Sequence, residues 1–152
     1  MHIVFTKLTD ERHRLEIRRA DGRAESVELE TRTFLLHDLV HYAVEAEAGI
    51  DDGFWGLLER GATMAALSER TMEDPPSAGV ALAERLVGPM QSVWHGRLDA
   101  ALYVENTQPA APEIVDAAFV ERVRDRLRAL WGHWRATPFR GAMELTWPPS
   151  GS

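Results

Sequence analysis

Segments that alternate in the manner of β-strands occur only at the two ends of this chain, and the residues between them carry helical spacing. That distribution limits the folds open to it. Residues 2 to 8 (His2 to Leu8) are apolar on both alternating sets, Ile3 and Phe5 against Val4 and Leu8, as expected of a strand covered by neighbours. Residues 13 to 19 and 24 to 30 flank Asp21-Gly22, with Leu15 and Ile17 on one face of the first segment and Val27 and Leu29 on one face of the second. Cross-strand partners share a face, so odd positions must pair with odd ones. This parity rejects a two-residue loop and predicts a three-residue one, Ala20-Asp21-Gly22, with Gly22 left-handed in a bulge. Met143-Glu144-Leu145-Thr146-Trp147 alternates again, with Met143, Leu145 and Trp147 inward, and Pro148-Pro149 ends it.

Between these ends, Thr31 or Thr33 can cap a helix from about residue 34 to 48, closed by Gly49. Phe54 to Arg60 forms a short helix stopped by Gly61, and Thr63 can cap a further turn or two through Leu67. Glu73-Asp74-Pro75-Pro76 is a linker. Ser77 opens a helical stretch to about Gly96 that Gly88-Pro89 should kink or split. After a loop at Pro109-Ala110-Ala111-Pro112, with Pro112 suited to a first helical turn, the longest helix runs to Trp134. Its apolar stripe is Ile114, Val115, Ala118, Phe119, Val123, Leu127, Leu130, Trp131 and Trp134. The expectation is a single α+β domain over residues 1–152, the last few a flexible tail. Its antiparallel sheet should hold about four strands, the last beside the first, packed against four to five helices.

With 45% hydrophobic and 27% charged residues, the composition is that of a folded, soluble protein. A net charge of -7 disfavours a phosphate backbone as partner, so no nucleic-acid role is expected. The absence of cysteine excludes disulfides, thiolate nucleophiles and thiolate-bound zinc; any metal must be held by His, Asp and Glu. The first residues do not read as a signal peptide and no segment reaches the ~18 apolar residues of a membrane span, which predicts a cytoplasmic protein with no membrane partner.

The densest chemistry lies in His37-Asp38-Leu39-Val40-His41, followed by Glu45. At about 100° per residue, His37, His41 and Glu45 share an arc of roughly 80° with Asp38 beside it, and Leu35, Leu36, Leu39, Val40 and Ala43 supply an opposite, apolar side. Imidazoles four residues apart can chelate one ion with nitrogens about 2.0 to 2.1 Å from it. Glu45 lies about 12 Å along the axis from His37 and suits orientation of His41 better than ligation of the same ion. A third ligand must come from elsewhere. Asp51, Asp52 and Glu59 are nearest in sequence, with His95 and His133 further candidates.

His-Asp-Leu-Val-His resembles the His-Glu-x-x-His helix of zinc metallopeptidases, with Asp38 where that family has its general base; the family's third ligand falls on Arg60, one position beyond Glu59. It also resembles the His-Asp-x-x-His signature of a ubiquinone-biosynthesis family, whose following glutamate falls here on Gly53. More widely, "FLLHDLVHYAVE" with "GFWGLL" is similar to a family of small uncharacterised bacterial proteins, a likeness that implies no particular activity.

The motif therefore carries two readings. In one, His37, Asp38, His41 and Glu45 are the solvated face of a surface helix. In the other, His37, His41 and a carboxylate, Glu59 or one of Asp51 and Asp52, hold one divalent ion (zinc, iron or manganese), and Asp38 or Glu45 moves the proton in hydrolytic or lyase chemistry on a small molecule. The rival to an enzyme is a binding module that holds a protein partner or forms a homodimer through an aromatic-rich surface. Arg122, Arg124, Arg126 and Arg128 alternate with Glu121 and Asp125 and read as a salt-bridged face, the five tryptophans as core, and His95 and His133 as helix-end residues. Gly53-Phe54-Trp55-Gly56 can be a lid over the histidines or a tight corner between helices.

Overall fold

A computed structural model of the chain describes residues 1–68 and 74–150. Strands β1 (His2–Lys7), β2 (Arg12–Arg18), β3 (Ala24–Glu30) and β4 (Ala142–Thr146) form one antiparallel sheet in the order β3-β2-β1-β4. The parity rule holds: Leu15 stands opposite Val27 and His13 opposite Leu29. Arg19 N–H donates to the Arg23 carbonyl and Gly22 N–H to the Arg19 carbonyl, closing the loop Ala20-Asp21-Gly22 with Gly22 at φ 91°. Asp21 accepts from the backbone N–H and the guanidinium of Arg23, which hold its carboxyl below the usual range. β1 pairs on both sides, with Ile3 between Ile17 and Leu145 and Phe5 between Leu15 and Met143. Ile3, Phe5, Leu15, Ile17 and Met143 of that face are buried under the helices, while Val27, Leu29 and Leu145 toward its two edges are partly buried.

Six helices follow: α1 (Thr31–Ala48), α2 (Phe54–Glu59), α3 (Met64–Ser68), α4 (Ala78–Trp94), α5 (Ala100–Thr107) and α6 (Ala117–Ala136), with a 3-10 turn over Gln108–Ala110. The chain passes from β3 into α1 without a loop, three residues earlier than cap chemistry predicts, because Thr31 is tied down by tertiary bonds. Its N–H donates to the Glu11 carbonyl at 2.8 Å and its hydroxyl meets His13 Nδ1 at 3.0 Å. Neither threonine caps the helix; the capping position is Glu30. Gly49, at φ 67°, closes it as expected.

Ser77 caps α4 by accepting from Val80 N–H, and the helix continues past Pro89 undivided. α5 escapes the periodicity reading because it is short; Asp99 caps it, and its buried Tyr103 donates to the Leu86 carbonyl at 2.9 Å. Pro112 does not open α6: residues 112 to 114 turn, and the cap falls on Asp116, which accepts from Phe119 N–H at 2.7 Å. The linker expected at Glu73 lies outside the described residues, as do the final residues 151 and 152, while Asp74 to Pro76 carry no helix.

The basic run of α6 is ion-paired. Arg124 and Arg128 bind Glu121 and Asp125 on their own helix, while Arg122 and Arg126 both reach Glu47 of α1. Trp55, Trp134 and Trp147 are buried, and Trp94 and Trp131 pack against the same core. No helix among the described residues is long and apolar enough to cross a membrane.

Candidate metal centre

With the sheet beneath it and α2, α4 and α6 beside it, α1 is covered nearly all round, and every residue from Asp38 to Glu45 is buried. The motif is not a solvated face: Asp38 is 8% exposed, His41 4% and Glu45 0%. Ionisable groups removed from water are expensive unless something compensates them, so the informative question is what each one meets.

His41 stands between two carboxylates. Its Nδ1 donates to Glu45 Oε2 at 2.9 Å, and its Nε2 faces Glu84 Oε1 of α4 at 3.2 Å. His37, one turn earlier, points its Nδ1 at Gln91 Oε1 at 3.4 Å and stacks edge-on against His41 with ring centroids 4.7 Å apart. Gln91 and Glu84 lie seven residues apart on α4 and therefore on one face of it. The helices pair antiparallel, which matches Gln91 to His37 and Glu84 to His41. One ligand atom each from His37, His41 and Glu84 lies within 4.8 Å of the other two, so the group can hold a metal ion. Ligands of one tetrahedral ion stand about 3.3 Å apart, and rotation of the long Glu84 arm is the simplest way to close that distance.

Glu45 has the orienting role that its position on the helix predicts. Its Oε1 accepts the Trp55 N–H at 3.1 Å, so it also satisfies the N-terminus of α2, where Gly53 offers no side-chain cap. Gly53 is required there: a Cβ at this position would stand 2.3 Å from Glu45 Oε1. The corner between α1 and α2 is thus built around the carboxylate that holds His41. Gly53-Phe54-Trp55-Gly56 is the tight corner between helices: Trp55 is buried in the core, and Phe54 packs at a tilt against the His41 ring with centroids 5.9 Å apart.

Burial alone would favour a neutral His41, but the hydrogen bonds and charges of Glu45 and Glu84 outweigh it and raise the ring to about 9. The same hydrogen bond to His41 lowers Glu84, whereas burial pushes Glu45 up despite His41 and the N–H groups of α2. Burial and then the neighbouring His41 lower His37. Asp38 is raised to about 7, chiefly by burial, with His41 opposing. The two carboxylates thus favour a positive charge at His41, and His37, His41 and Glu84 could hold a metal ion there.

The site floors a cleft of about 630 Å³ between the β2–β3 hairpin, α1 and the segment bearing α3. His37, Asp38, His41 and Glu84 all border it. Of the carboxylates nearest in sequence, none joins the histidines. Glu59 points to the amino terminus at 4.0 Å, because α2 turns its far end toward the start of β1. Asp51 pairs with Arg60 on the surface, and Asp52 accepts from Gly79 N–H at the start of α4. His95 and His133 are exposed at the ends of α4 and α6. The third candidate ligand, Glu84, was missed because it is distant in sequence. The available signal was a glutamate and a glutamine seven apart on an otherwise apolar helix face, Glu84 beside Ala83 and Val87, and Gln91 beside Met90.

Comparisons of the chain with protein-family models, curated proteins and solved structures find no match, so its chemistry is read from the site itself.

Proposed function

We propose that this protein is a small metal-dependent enzyme whose single divalent ion is held by His37, His41 and Glu84, and that it carries out hydrolytic or lyase chemistry on a small molecule entering by the cleft. The observation that carries this reading is the convergence of three ligand atoms within 4.8 Å at the floor of that cleft. Three protein ligands beside open space are the pattern of a catalytic rather than a structural site. Imidazole and carboxylate donors suit zinc, iron or manganese.

Such an ion supplies Lewis acidity, polarising a substrate oxygen and easing deprotonation of water. The protein supplies the rest. Glu45 fixes the His41 ring by accepting from Nδ1, which leaves Nε2 for ligation. Gln91 does the same for His37. Asp38 borders the cleft beside both rings and makes no hydrogen bond to another described residue. Buried beside the two histidines and facing the cleft, it is the carboxyl placed to accept and return a proton.

Elemental analysis and calorimetric titration with zinc and manganese test the reading. The expectation is one ion per chain in the wild type, loss of binding in His41→Ala and Glu84→Gln, and unchanged binding in Glu59→Gln. A wild type that takes up no stoichiometric metal, or a Glu84→Gln variant that binds as well as wild type, overturns it.

A further inference from the structure

The cleft above the histidines has a composition that selects its occupant. Its walls include Val27 and Leu29 from the edge strand β3, Phe34 from α1, Phe54 from α2 and Val80 from α4, so the body of any ligand meets hydrocarbon and aromatic surface. Ionisable groups on the lining are the two histidines and the carboxylates Glu25, Asp38 and Glu84; no lysine or arginine is among the described lining residues. Glu25 is held by Arg19 and by the Met64 N–H, which leaves Asp38 and Glu84 as the acidic groups facing the ligand end. Asp38 is more than nine-tenths buried, has no hydrogen-bond partner among the described residues, and borders the cavity. A volume of about 630 Å³ is that of a site for a drug-sized organic molecule.

We infer that the ligand of this cleft is an apolar-bodied small molecule that carries no negative charge, its one polar group turned toward His37, His41 and Asp38. A phosphorylated or carboxylate-tailed metabolite would place its charge against hydrocarbon or against Asp38 and Glu84; no lysine or arginine is among the described lining residues, and the charge of a protonated His41 is already taken up by Glu45 and Glu84. An ester, amide or lactone with an alkyl or aromatic body meets the wall with apolar surface and offers the floor one oxygen. This inference names the substrate class of the metal-dependent reaction proposed above and rests on that reading for its chemistry.

A matched pair of fluorescent probes tests it: neutral N-phenyl-1-naphthylamine and anionic 1-anilinonaphthalene-8-sulfonate, which share a ring system and differ by a sulfonate. Binding is measured to the metal-free full-length chain and to Val27→Lys and Phe34→Lys, which put a cation into the wall from β3 and from α1. Phe34 is 42% exposed, so its replacement spares the core. The expected result is a preference of about tenfold or more for the neutral probe in the wild type, reversed or abolished in both lysine variants. Equal affinity for the two probes, no binding of the neutral one, or a preference indifferent to both lysines overturns the inference. Zinc titration of the same preparations reports on the ion separately. Zinc bound without probe preference removes the substrate class alone, and probe preference without zinc binding removes the metal while leaving the selectivity of the cleft in place.

Discussion

At the scale of single residues, His41 determines the behaviour of the site. Because Glu45 and Glu84 raise it to about 9 against the effect of burial, an incoming ion must displace its proton. Metal binding at neutral pH is expected to release about one proton, and apparent affinity to climb about tenfold per pH unit until the ring deprotonates on its own near 9. Calorimetry in buffers of different ionisation enthalpy counts that proton; a count of zero shows that His41 is not a ligand. Without metal, the same raised value contributes stability that is complete below the free-histidine value of 6.5 and is lost as pH climbs through about 9. Glu45→Gln should weaken metal binding by about 10- to 100-fold without abolishing it, the usual effect of removing a carboxylate that orients a ligating histidine. A Glu45→Gln protein that binds with wild-type affinity assigns the carboxylate to α2 alone.

At the scale of elements, the corner at Gly53 makes the claim that function and architecture share a residue. Gly53→Ala sets a Cβ 2.3 Å from the Glu45 carboxylate, so it should destabilise the fold by about 1 to 3 kcal/mol and lower metal affinity together. Chemical denaturation paired with metal titration checks both, and a variant altered in neither property removes the coupling. How far such elements could be read from sequence depended on whether their signals were local. The β2–β3 hairpin followed from the parity of Leu15 and Ile17 against Val27 and Leu29, and α1 ended where Gly49 predicted. The starts differ from expectation for two reasons: α1 begins early because Thr31 gives its N–H to distant Glu11, whereas α6 waits for the local cap of Asp116, a signal that Pro112 outweighed in the sequence reading. The site divides in the same way. His37, His41 and the orienting role of Glu45 follow from spacing along one helix. Glu84 belongs to another helix, and only the antiparallel packing of α1 and α4 brings it to the histidines.

At the scale of the whole molecule, α1 is a core helix that carries its polar groups into the interior, and the protein must tolerate them across the pH range in which it works. A second buried histidine reports on the core as a whole. His13, from β2, is fully buried; its Nδ1 meets the Thr31 hydroxyl and its Nε2 has no partner. Burial, aided by Arg12, lowers it to about 4. Unfolding exposes a ring with the ordinary value of 6.5, so the unfolded chain takes up a proton that the folded one refuses. Stability from this group is intact above 6.5, declines as pH falls, and levels off below about 4, a total of about 3 kcal/mol at roughly 1.4 kcal/mol per pKa unit. Urea denaturation from pH 7 to 4 should show that decline in wild type and a shallower one in His13→Leu. Parallel profiles show that acid instability originates elsewhere.

The proposed ion lies between α1 and α4 on imidazole and carboxylate. X-ray absorption at the zinc edge, on protein loaded with a single equivalent of zinc, examines that directly. The expected spectrum shows two imidazole nitrogens at about 2.0 Å with oxygen completing the shell, and loss of an oxygen contribution in Glu84→Gln. A spectrum of hydrated zinc with no imidazole scattering contradicts it.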